Sequence, residues 1–159
     1  MRKFKLSNLF GLIQRIQTVF LLLILISLGL FLWMPLINGA PALLGYPNGI
    51  KGWEVVHKYN GWIYYINSIL TGTALGLTFI SIFLFKQRDL QMLICWFSIV
   101  FIGAASGIVY YEYRTYIWFG DVIFTPWNAL AGAAILFQLL AWFYIRKDEH
   151  TIKSLDRLR

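Results

Sequence analysis

One cysteine, Cys95, and two histidines, His57 and His150, are all that 159 residues provide of those two metal-ligating residue types. A lone thiol cannot close an intramolecular disulfide, and dithiol–disulfide chemistry needs a pair. Charge is also scarce: Asp, Glu, Lys and Arg make up 13% of the chain, about half the share in a soluble domain. No glycine-rich phosphate loop opens a helix, and no nucleophile elbow is present. The chain has no Ser/Gly linker, low-complexity run or internal repeat, so it reads as one unit without a second soluble domain.

What is abundant is apolar: 59% of the residues are hydrophobic. They gather in four blocks, at about 16–37, 61–85, 92–111 and 126–145. About 20 apolar residues rising ~1.5 Å each cross a hydrocarbon layer of ~30 Å. The first block is longer than the ~7–15 residues of a secretion-signal core, so it is expected to be a retained helix. The twelve residues before it read either as a short interfacial helix or as a basic tail. Asn38, Gly39, Pro41 and Pro47 mark the loop that follows, and Asn60 is placed to cap the second span. Thr125 followed by Pro126 is a start signal for the fourth.

No Lys, Arg, Asp or Glu falls within these blocks, where each would cost about 2.5–3.5 kcal/mol. With the N-terminus inside, Arg2, Lys3, Lys5, Arg15, Lys86, Arg88, Arg146, Lys147, Lys153, Arg157 and Arg159 lie on the cytoplasmic side. Only Lys51, Lys58 and Arg114 lie outside. The expected fold is therefore an all-α membrane protein: four transmembrane helices in an antiparallel bundle, both termini cytoplasmic, with a charged tail over 146–159. The net charge of +7 sits beside the spans, which fits anionic lipid headgroups as partner and not nucleic acid. Trp53, Tyr59, Trp62, Tyr64, Tyr65, Tyr110, Tyr111, Tyr113, Tyr116, Trp118 and Trp127 crowd the expected outer interface as an aromatic belt.

Small residues recur at four-residue spacing: Gly72 and Gly76, Gly103 and Gly107, Ala129 and Ala133. Such pairs let helix backbones approach closely. Packing within one bundle is the favoured reading, and assembly of several copies the alternative. Asn67, Thr71, Thr73, Thr78 and Gln138 are the polar side chains within spans that stand out, and Asn67 and Gln138 are expected to face protein. Proton-coupled transport usually employs an intramembrane acid or histidine, and the spans hold none. The two histidines fall on opposite sides and cannot share a metal. Glu54, Glu112 and Asp121 share the outer side, where a general-acid pair or cation site competes with the commoner role of balancing loop cations. In the tail, Glu149 and Lys153 are spaced as a helical ion pair. Ile152, Leu155 and Leu158 form an amphipathic stripe suited to a lipid surface or a cytosolic partner.

Three stretches have a familiar form: Ile13-Gln14-Arg15-Ile16-Gln17-Thr18; Phe85-Lys86-Gln87-Arg88-Asp89-Leu90-Gln91; and Arg146-Lys147-Asp148-Glu149 with Ser154-Leu155-Asp156-Arg157-Leu158-Arg159. Together they resemble a Bacteroidetes membrane family known as domain of unknown function 4293, over about 13–159. The resemblance implies a four-span protein of the bacterial inner (cytoplasmic) membrane and brings no activity. All three stretches fall on the expected cytoplasmic side, which makes Arg15, Lys86, Arg88, Asp148, Asp156 and Arg157 a candidate interaction face. Arg15 is expected to pair with Asp148 or Asp156, clamping the tail beneath the bundle. The resulting expectation is a non-enzymatic accessory or scaffold subunit without a cofactor, working with other membrane subunits. A small oligomeric transporter or channel is the alternative, and a membrane enzyme using the outer carboxylates is less favoured.

Overall fold

A long apolar segment excludes water from its own backbone, so its amides must bond within the segment, and the α-helix does this. In a computed structural model of the protein, four helices are long and apolar enough to cross a membrane. The structure describes residues 2–39, 50–51, 66–85, 87–116 and 122–156. The helices are α1 (Arg2–Trp33), α2 (Ile66–Phe83), α3 (Arg88–Tyr116) and α4 (Ala129–Asp156). They close into a ring in which α1 and α3 each pack against α2 and α4.

One spacing rule sets the packing. The buried positions step by four and three: Gln17, Leu21, Ile24, Leu28 and Phe31 on α1; Asn67, Thr71, Ala74, Thr78 and Ser81 on α2. They continue as Gln91, Cys95, Ser98, Ile102, Ala105 and Val109 on α3, and as Ala131, Ala134, Gln138, Ala141, Ile145 and Asp148 on α4. A repeat averaging 3.5 residues keeps one seam of each helix turned inward, the geometry of left-handed bundles crossing at about 20°. Cross-helix contacts show α3 antiparallel to both α2 and α4. Thr78 meets Ser98 and Ser81 meets Gln91 between α2 and α3. Trp96 meets Trp142, and Arg88 meets Asp148, between α3 and α4. Phe20 stacks on Tyr144 at 5.5 Å between α1 and α4.

The helices differ from the expected blocks at their ends. Helix α1 starts at Arg2, so the first residues continue the first span as helix, and it stops at Trp33. Pro35 has no amide hydrogen to extend the helix, and Leu36 and Ile37 are buried in a strand instead. Helix α3 extends past 92–111 at both ends, to Arg88 and Tyr116. Helix α4 runs through the tail to Asp156, supported by the Glu149–Lys153 pair and by Thr151 Oγ1 donating to Lys147 O at 2.9 Å. Residues 61–65, with Asn60, lie outside the described residues.

The purely helical expectation also needs correction. At the end of the bundle away from Arg88, β1 (Pro35–Gly39) lies between β2 (Ile50–Lys51) and β3 (Val122–Phe124) in an antiparallel sheet. The register pairs Ile37 with Phe124 and Gly39 with Val122. The sheet gives the backbone leaving α1 the partners that a helix would otherwise have supplied. Thr125 does sit at the N-cap position, before a 3-10 turn over Pro126–Asn128 that leads into α4, but its side chain makes no capping bond. Its hydroxyl reaches Pro35 O at 2.6 Å, with Leu36 O at 3.1 Å, while Asn128 Nδ2 donates to Leu36 O at 2.7 Å. These contacts tie the start of α4 to the strand after α1. Lys51 adds a cation over the Trp33 ring, 5.3 Å from its centroid.

Candidate functional site

The seam of α2 buries no large apolar side chain: Asn67, Thr71, Ala74, Thr78 and Ser81 face inward. Large apolar residues face out, with Ile69 61% and Phe83 65% exposed. The other helices show Val19, Leu22 and Ile26, then Leu93, Phe97 and Val100, then Leu136 and Phe143 outward as well. A water-soluble bundle would not expose such a belt. Here the solvent that suits the outside is apolar, and polar groups find one another inside.

Those polar groups form a row. Thr78 Oγ1 donates to Ala74 O at 2.8 Å and lies 3.1 Å from Ser98 Oγ, which also reaches Ala74 O at 3.4 Å. Gln91 Nε2 donates to Ser81 O at 3.0 Å. Between these two links, the Cys95 thiol faces Gln138 and Ser81. A thiol is a weak hydrogen-bonding group, and neither Gln138 amide atom has a partner of ordinary geometry. At the end of the row, Arg88 Nη2 meets Asp148 Oδ2 at 2.8 Å, with the Asp148 side chain 3% and that of Arg88 25% exposed. Burial disfavours the carboxylate charge and the adjoining guanidinium favours it.

Asp148 thus has a partner on α3. The side chains of Arg15 and Asp156 lie outside the described residues, as do Lys86 and Arg157. Asn67 and Gln138 face protein as expected. Gln17, Ser81 and Ser98, which do not stand among the expected in-span polar residues, share the seam, as does Gln91 just before the expected third span. Their three-and-four spacing from Asn67, Thr71 and Thr78 was the available signal.

The small residues run opposite to the favoured reading. Gly72, Gly76, Gly103, Gly107 and Ala129 are exposed, and Ala133 is half-buried. A Cβ built at any of the four glycines would meet no atom within 4 Å beyond its own stretch of helix. The two glycine pairs do not bring helices of this bundle together; they lie on the outward faces of α2 and α3, because the seam is fixed by positions one or two residues away.

Among the described residues no group of three or more His, Cys, Asp and Glu could hold a metal ion. Glu54, Asp121 and His57 lie outside the described residues. Glu112 is half-buried on α3, and His150 is exposed on α4.

A ring of four apolar helices with a polar seam and an apolar outside defines the class: a multi-pass, membrane-type helical bundle. The model of domain of unknown function DUF4293 matches residues 13–158, and the chain belongs to that family. No curated protein and no solved structure matches the chain.

Proposed function

We propose that the protein is a four-span protein of the bacterial cytoplasmic membrane, with both termini in the cytoplasm. In this reading it is a non-catalytic accessory subunit that packs against other membrane helices. The observation that carries it is the open space over Gly72, Gly76, Gly103 and Gly107 on the outward faces of α2 and α3. Lipid gives little hydrophobic drive for helix association, and small residues supply close backbone approach instead. The bundle does not use these faces itself, which supports their use by a second protein. The orientation rests on the cations at the Arg88 end, where Arg146, Lys147 and Lys153 also lie.

The test is affinity purification of the full chain in mild detergent, with Gly72→Leu and Gly103→Leu variants alongside. Unlike membrane subunits should accompany the native chain and be lost from the variants. A homo-oligomer that supports ion flux in liposomes would sink the accessory reading and favour a channel. One observation favours that second reading: the buried amide of Gln138, set against the weakly bonding Cys95 thiol, lies on a polar row that ends at Arg88 and Asp148.

A further inference from the structure

The outward face of α4 changes character within one turn. Leu136, Leu139, Leu140 and Phe143 are exposed apolar residues. Arg146, Lys147 and His150 follow on the same face and are exposed too. The change falls where the proposed bilayer core gives way to headgroups. These cations and Phe143 line a groove of about 500 Å³ with Trp142. Its wall is braced: Trp142 packs edge-on to Trp96 with ring centroids 5.9 Å apart, and the Arg146 guanidinium lies 5.2 Å from the Trp142 centroid. A guanidinium over an indole face is held in place without losing its donors to an acid.

The nearby acids are engaged elsewhere. Asp148 turns inward to Arg88, Glu149 bonds Lys153, and Asp89 of α3 lies beside Glu149. Among the described residues, neither Arg146 nor Lys147 has an ion-pair partner. The groove therefore joins two cations and an imidazole to an apolar wall that continues along α4.

We propose that this groove binds one anionic phospholipid. Arg146 and Lys147 hold its phosphodiester, His150 flanks the headgroup, and an acyl chain lies along Phe143, Leu140 and Leu139. The site rests on the membrane reading above, because it needs Phe143 in the hydrocarbon and Arg146 in the headgroup layer. A guanidinium offers paired donors to phosphate oxygens and an ammonium offers a point charge. A zwitterionic choline headgroup returns a positive charge to the same pocket and should bind less well.

The experiment places the full chain in nanodiscs containing equal phosphatidylglycerol and phosphatidylcholine, extracts it in mild detergent and measures retained lipid by mass spectrometry. Phosphatidylglycerol should be retained preferentially. Removing both cations in the Arg146→Ala, Lys147→Ala double variant should weaken that preference about 30-fold. Lys153→Ala, which removes a charge already paired to Glu149, should keep it. Arg146→Lys, which retains charge but loses the planar fork, should fall between. Equal retention of both lipids, an unchanged preference in the double variant, or displacement of the lipid by millimolar inorganic phosphate would overturn the site. Failure of the chain to enter nanodiscs at all would instead overturn the membrane reading.

Discussion

Removing Arg88 should damage the fold far more than neutralising its partner. At 2.8 Å and an effective dielectric constant of ~20, two unit charges attract by about 6 kcal/mol. Taking both from water costs several kcal/mol per ion, so the intact pair gives little net gain over two apolar groups. Breaking it is another matter. Arg88→Ala strands a carboxylate whose side chain is 3% exposed and whose Oδ1 already has no hydrogen-bond partner. Its loss should be about 3–5 kcal/mol. Asp148→Asn leaves a guanidinium that is a quarter exposed and can turn its donors to water, so about 1–2 kcal/mol is expected. Replacing both by leucine should restore most of the loss, because no buried charge remains. Reversible unfolding in mixed micelles, followed by tryptophan fluorescence, would give all three values and the coupling energy. If Arg88→Ala lies within about 0.5 kcal/mol of the native protein, as for an exposed pair, or is no worse than Asp148→Asn, the reasoning is refuted.

Four further outcomes follow from the same geometry. Thr78→Val and Ser98→Ala should each cost about 0.6–1.7 kcal/mol in the same unfolding assay, with the double variant little worse than either, because both remove one buried link. Asn128→Ala should cost about 1–2 kcal/mol, and amide exchange should rise in β1, whose Leu36 carbonyl loses a donor. Gly72→Ala and Gly103→Ala should leave stability unchanged or raise it by about 0.5–1 kcal/mol, since the added methyls meet open space; a loss above about 1 kcal/mol would mean that these faces are packed after all. Gln138→Leu should be neutral or stabilising by about 1 kcal/mol, because it removes two buried amide atoms whose neighbouring Cys95 thiol is a weak hydrogen-bonding partner.

Span number was legible because hydropathy is a property of the chain taken in order: each block is long enough alone, whatever it packs against. Rotation about each helix axis is not a matter of hydropathy; its signal lies in the spacing of the polar residues. Asn67, Thr71, Thr78 and Ser81 fall on one seam by spacing alone, and the glycines of Gly72 and Gly76 then have to face away. A small-residue pair states how close another helix can come, not which helix comes. The sheet was hidden for a different reason. Pro35–Gly39 pairs with Val122–Phe124, more than eighty residues on, and such short segments carry too few residues for a periodic signal. The Arg88–Asp148 contact needed the same missing rotation: both residues were expected at one end of the bundle, but which cation met which acid depends on how α3 and α4 turn toward each other.

The two halves of the bundle are held by different forces, and this bears on where a partner would attach. Helices α1 and α4 meet through large apolar and aromatic groups, Phe20 with Phe137 and Tyr144 among them. The sheet and the Thr125 and Asn128 bonds to β1 join their ends. Helix α2 buries only small and polar side chains, and its links to α3 run through Thr78, Ser98, Ser81 and Gln91. Hydrogen bonds between membrane helices contribute about 0.6 kcal/mol on average, so close van der Waals contact must supply the rest. A seam of small side chains keeps the two backbones near each other and leaves the bulk of α2 on the outside, where its glycines open gaps between Ile69, Phe79 and Phe83. Helix α2 thus meets α3 through its small inward side chains and leaves open space over its glycines on the outside. The α1–α4 pair is closed by its aromatics and its sheet, so the proposed accessory contact is expected on α2 and α3, where the open faces lie.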